Sequence, residues 1–166
     1  GVGAQVTKVL TPATIAGVKT AGMAQFGAQA YDRSADVVVA LSSGNLTDGC
    51  AAISNANAVR DKIALIDRGT CTFVVKVKNA QNAGAIAVLI VNNAAGSPGG
   101  MSGTDATITI AAQMISQSDG AAIKGQLAHF LDFESKTSHN IKLQVTDSAG
   151  QTKVKAFVIS IVNGPN

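Results

Sequence analysis

The chain has 166 residues, of which 46% are hydrophobic, 14% charged and 4% aromatic, with no Trp. That composition suits one domain with an aliphatic core of Ala, Val, Ile and Leu, and it excludes a disordered chain, which buries too little to offset its ordering entropy. The net charge of +3 is spread along the chain and few aromatics are present to stack bases, so no nucleic-acid partner is expected. No apolar run reaches the roughly 18 residues of a membrane span, and the opening GVGAQV is not a basic and then apolar leader, so neither a span nor an attached signal peptide is expected.

Residues 5–10 read as extended chain, Thr11-Pro12 as a turn, and residues 35–41 as a buried strand, with a Gly/Ala-rich stretch of no clear period between them. Residues 63–66 form the next strand and residues 67–70 a turn. Phe73, Val77 and Ala80 then recur at helical spacing, with Thr72 as N-cap and Gly84 as the glycine just past the helix end. The apolar run 85–91 completes a strand, helix and strand within about thirty residues, a βαβ unit whose crossover should be right-handed.

Residues 92–105, with four glycines and one proline, form a loop long enough to be functional or mobile. Short strands are predicted at 107–110 and 113–115. Ser116 to Asp119 is a capping-box pattern that opens a helix with Ile123, Leu127 and Phe130 on one stripe. Alternation over 141–145, a turn at 147–150 and an apolar run at 154–162 predict a C-terminal β-hairpin. A lone hairpin is marginal in water, so it pairs with the main sheet or belongs to a neighbouring domain.

Most catalytic chemistry fails on spacing. The two histidines, His129 and His139, have no zinc motif around them, and Asp48, Asp105, Asp132 and Asp147 lie in loops without a calcium-loop run, so no metal is expected. The glycine-rich segment 96–103 lacks the terminal G-K-[ST] of a phosphate cradle. Ser102 is not in a G-x-S-x-G elbow, and one glutamate, Glu134, makes no carboxylate pair. Arg60, Lys62, Arg68, Lys76 and Lys78, diluted by Asp61 and Asp67, read as a solvated face. Asn45-Leu46-Thr47 is a glycosylation sequon that such an Asn-rich chain produces by chance. Cys50 and Cys71 are suited to a disulfide, which implies an oxidising compartment. The alternative is Cys71 as a free thiolate nucleophile before a helix N-terminus.

The run Lys62-Ile63-Ala64-Leu65-Ile66-Asp67-Arg68-Gly69-Thr70-Cys71-Thr72-Phe73, then Lys76-Val77 and Asn79 through Ala85, resembles the protease-associated (PA) domain. The likeness extends to Pro12, Ile15-Ala16-Gly17, Phe26-Gly27, Val91-Asn92-Asn93, Met101 through Asp105, Ile108-Thr109-Ile110 and Met114 through Gly120, and so covers about residues 5–130. Ala111 stands where the family usually has proline, and Gln113 where it usually has an aliphatic.

This resemblance implies an α/β (α+β) fold: a twisted, partly closed mixed β-sheet with a central βαβ unit and flanking helices, extended here by the C-terminal hairpin. Residues 1–130 would be the PA domain and 131–166 the extension. It also implies pairing of Cys50 with Cys71, no catalysis by the domain itself and no cofactor. The expected role is a protein or peptide interaction module of a larger secreted peptidase, regulating access to an adjacent catalytic domain. Asp67, Arg68, Gly69 and Thr70, with Asn92, Asn93, Gly100, Met101 and Ser102, are the expected peptide-binding residues, Met101 packing against varied side chains. A spacer or dimerisation domain is the alternative, and an enzyme in its own right would need Cys71 free.

Overall fold

The computed structural model describes residues 6–129 and 142–146. Strand β4 (Ile63–Asp67) and strand β5 (Ala87–Val91) are buried along almost their whole length, as expected of strands covered on both faces. They pair in parallel, with Ile63 opposite Ala87 and Asp67 opposite Val91. Strand β6 (Ala111–Ile115) adds in parallel to β5, and β3 (Asp32–Val39) adds in parallel to β4.

The remaining strands run antiparallel. Strand β2 (Gly17–Met23) pairs with β6 through Ala21 to Met23 and with β1 (Val6–Thr11) through its first half. Strand β7 (Lys142–Thr146) lies between β1 and β3 and pairs with both. The order β1-β2-β6-β5-β4-β3-β7 therefore closes on itself as a seven-stranded barrel.

Closure overturns the expected fold class. The molecule is not an α/β fold organised around a central βαβ unit with a partly closed sheet and flanking helices; it is a closed barrel in which strands dominate. Local apolar periodicity shows which face of a strand is buried but carries no record of which strands meet, and the two that complete the ring are poorly marked. Strand β2 has no apolar period, and β7 belongs to the segment read as a hairpin. The second strand of that hairpin, residues 154–162, lies outside the described residues.

Alternation sorts the side chains into two clusters. Val9, Val37, Ile63, Leu65, Leu89, Ile115, Leu143 and Val145 fill the barrel, together with Ile123 of α3 (Gln117–His129). Ala64, Ile66, Val88, Ile90 and Met114 point outward and are covered by Val59 of α1 (Ala56–Val59) and by Val77 and Ala80 of α2 (Phe73–Asn82). The barrel interior also holds polar groups. Thr7 Oγ1 donates to Gln113 Oε1 at 2.5 Å, and Gln113 Nε2 donates to the Tyr31 hydroxyl at 2.9 Å and to the Thr146 carbonyl at 3.2 Å.

Caps and loops follow local chemistry. The Thr72 hydroxyl accepts from Val75 N, Gly84 has φ +91°, and Ser116 Oγ accepts from Asp119 N at 3.1 Å while donating to the Asp119 carboxylate at 2.7 Å. Residues 107–110 do not form the expected strand: a turn at 106–107 leads into irregular chain. The Asp105 carboxylate accepts from Thr107 N, and Gln81 Oε1 accepts from Thr109 N, so side chains replace the ladder there. The long loop is pinned near its end: Met101 N donates to Met23 O at 2.7 Å and Gln25 N donates to Met101 O at 2.9 Å. Among the described residues no helix is long and apolar enough to cross a membrane.

Candidate functional site: a groove at the carboxyl ends of the parallel strands

Because β4, β5 and β6 run in one direction, their carboxyl ends share one rim of the barrel, where the chain leaves each strand and backbone groups become available. A groove of about 360 Å³ opens there, lined by Asp67, Arg68, Val91, Asn92, Asn93, Gln117, Ala121 and Lys124. Asp67 ends β4, Asn92 and Asn93 follow β5, and Gln117, Ala121 and Lys124 form one face of α3 at helical spacing.

The polar groups are tied together. Lys124 Nζ contacts both carboxylate oxygens of Asp67, at 2.5 and 2.7 Å, and the Thr47 hydroxyl donates to Asp67 Oδ2 at 2.6 Å. Arg68 N donates to Val91 O at 2.9 Å, its Nη1 donates to Asn92 Oδ1 at 2.8 Å, and its guanidinium lies 5.6 Å from the centre of the Phe73 ring. Asn92 is buried, and its Oδ1 also accepts from Asn93 N. Gly120 packs directly on β5, since a Cβ there would lie 2.2 Å from Val91 Cγ1.

Beneath the 67–71 turn, Cys50 and Cys71 form a disulfide with a Cα–Cα distance of 5.7 Å, so Cys71 is not a free nucleophile. Closing a loop of 21 positions contributes about 3 kcal/mol by restricting the unfolded chain. Lys76 supports this bridge from below. It is fully buried and not part of a solvated face; its Nζ donates to Gly69 O at 2.6 Å and to Asp48 O, and lies 3.4 Å from Cys50 Sγ. Burial pushes the Lys76 ammonium below its ordinary pKa of 10.5, against the opposing pull of Asp48 and Asp67. Asp48 is held below its ordinary 3.8 mainly because its carboxylate accepts from Cys50 N at 3.1 Å, with the Ser42 hydroxyl adding a second donor.

Of the residues singled out from sequence, Asp67, Arg68, Asn92 and Asn93 meet in the groove. Gly69 borders it, with a would-be Cβ 3.9 Å from Asn93 Nδ2, and exposed Thr70 takes a positive φ of 68°. Gly100 and Ser102 are exposed but do not line the groove. Met101 is 0% exposed and sits in the outer core cluster, so it is not available to pack against a ligand. The α3 contribution was missed. Gln117, Ala121 and Lys124 sit at positions i, i+4 and i+7 of a capped helix, a readable face whose partner only the closed barrel reveals.

The chain is thus a small disulfide-linked barrel with a polar groove where three parallel strands end. The chain belongs to the PA domain family, which matches residues 33–123. An aminopeptidase from Pseudomonas aeruginosa is 47% identical over 68 residues, covering 39% of this chain and 13% of that protein. ER degradation-enhancing alpha-mannosidase-like protein 3 from Homo sapiens is 41% identical over 80 residues, covering 48% of this chain and 8% of that protein. Among solved structures, the aminopeptidase from Aneurinibacillus sp. strain AM-1 matches with a TM-score of 0.64 at 26% identity, over 87% of this chain and 30% of that one. The chain thus spans less than a third of the length of each of these relatives.

Proposed function

We propose that the domain is a non-catalytic peptide- and protein-binding module of a larger secreted peptidase, holding a substrate or propeptide segment beside an adjacent catalytic domain. The observation that carries this reading is the groove where Asp67, Arg68, Asn92 and Asn93 converge on the rim of the barrel. Its polar side chains suit an extended peptide, whose backbone needs both donors and acceptors along its length. The similarity to aminopeptidases, in which the matched part is a minority of the chain, supports the association with a peptidase. The Cys50–Cys71 bridge supports an extracellular or otherwise oxidising destination.

The test is an amide NMR titration of this chain with a mixture of peptides from an unfolded protein. Shifts concentrated at residues 67–70, 92–93 and 117–124 are the expected result. If no amide moves at about millimolar peptide, a concentration that already detects very weak binding, substrate capture by this domain is wrong. The remaining reading is then an architectural spacer or dimerisation domain.

A further inference from the structure

The groove carries an uneven set of charges. Its lining has two cations, Arg68 and Lys124, and one anion, Asp67. Asp67 is already satisfied, since Lys124 and Thr47 both donate to its carboxylate. Arg68 is not matched in charge: its hydrogen-bond partner is the neutral amide oxygen of Asn92, and no carboxylate pairs with it among the described residues. A guanidinium has five N–H donors in a planar fork suited to a carboxylate, and that of Arg68 lies 5.6 Å from the centre of the Phe73 ring. The side chains of Lys124 and Asp67 are each about one third exposed, so theirs is a weak pair that a competing anion can exchange.

Building on the peptide-binding reading, we infer that the groove selects a peptide carboxylate, which docks on Arg68 and draws Lys124 away from Asp67. Asp67 is then a built-in competitor. It neutralises Lys124 while the groove is empty and discriminates against weakly acidic or neutral ligands, which cannot displace it. Asn93 and Gln117, exposed on the groove walls, supply amide groups for the ligand backbone. The carboxylate can come from an Asp or Glu side chain or from a free peptide C-terminus.

Three peptides on the isotope-labelled chain separate these possibilities: acetyl-Gly-Gly-Asp-Gly-Gly-amide, its Asn counterpart as an amide, and that Asn peptide with a free C-terminal carboxylate. The expected result is that one or both carboxylate peptides bind about tenfold or more tightly than the neutral amide, shifting residues 67–68, 92–93 and 117–124. Whichever carboxylate peptide binds identifies the source. The advantage shrinks as salt rises from about 0.05 M to about 0.5 M. Arg68→Gln abolishes it. Asp67→Asn raises affinity for the acidic peptide about threefold or more, because Lys124 is released; Asn still accepts from Thr47, and a native amide spectrum verifies the fold.

Equal binding of all three peptides in the groove overturns carboxylate selection and leaves peptide binding intact. Loss of affinity in a folded Asp67→Asn variant also overturns it, since Asp67 would then support the ligand instead of competing with it. Absence of shifts with any peptide removes the underlying peptide reading as well.

Discussion

The ammonium group of Lys76, a fully buried residue, lies 3.4 Å from Cys50 Sγ, beside a disulfide whose two cysteines are both half-buried. A cation buried this way is tolerable because two carbonyl oxygens, those of Asp48 and Gly69, accept hydrogen bonds from it. Lys76→Met keeps the length of the side chain but leaves both carbonyls without this donor. It should cost about 2–4 kcal/mol in urea unfolding. Lys78→Met, two residues along the same helix, loses only solvent-exposed hydrogen bonds to Thr107 and should cost less than about 1 kcal/mol. Equal effects would mean that the Lys76 contacts do not hold the turn.

The carboxylate of Asp48 gives stability a defined pH dependence. Held below its usual 3.8 by the Cys50 amide, it binds fewer protons in the folded than in the unfolded chain. Its stabilisation is therefore complete above about pH 3.8 and fades as pH falls through the lower folded value. Asp48→Asn should be less stable than the parent at pH 6, and the gap should narrow at about pH 2.5. Urea midpoints at the two pH values decide the matter, and a gap that does not change with pH removes the argument.

Much of the local architecture was legible because its causes are local. The strands at 63–66 and 85–91 announce themselves as apolar runs, and Thr72, Gly84 and the Ser116–Asp119 pair mark helix ends by backbone chemistry that acts within four residues. Closure was not legible, since it depends on β7 meeting both β1 and β3 across more than a hundred positions of sequence. The same limit explains Lys76 and Met101. A lysine reads as solvated unless the carbonyls that receive it are known, and a methionine among glycines reads as exposed unless its bridge to Ala24 is seen. Half of the groove was found because the 67–70 turn and the 92–93 pair follow adjacent strands. The other half comes from a helix that reaches the rim only once the strands are ordered.

Two glycines should respond in opposite senses to alanine. A Cβ at Gly22 would lie 1.8 Å from the carbonyl oxygen of Gly99, so β2 and the long loop must separate. The expected loss is about 1–3 kcal/mol, with amide shifts spreading through residues 99–103. Gly125 lies on the exposed side of α3 with nothing near its missing Cβ. Gly125→Ala should raise stability by about 0.5–1 kcal/mol through helix propensity alone. Thermal unfolding of the two variants beside the parent checks both signs.

Gln113 tests whether the polar cluster inside the barrel is a designed pairing or a tolerated defect. It is fully buried opposite Leu89 of β5, a position where an aliphatic residue would suit the apolar barrel interior. In this chain it accepts from the Thr7 hydroxyl and donates to Tyr31 and to the Thr146 carbonyl, linking β6 to β1 and β7 across the interior. Gln113→Leu alone strands a fully buried Thr7 hydroxyl and should cost about 1–3 kcal/mol. Thr7→Val alone leaves the amide oxygen of Gln113 without that donor and should cost a similar amount. The double variant replaces both partners by apolar groups of similar shape, so it should recover about 1 kcal/mol or more relative to the sum of the single losses. A double-mutant cycle by urea unfolding measures this, and simple additivity would show that Thr7 and Gln113 do not depend on one another.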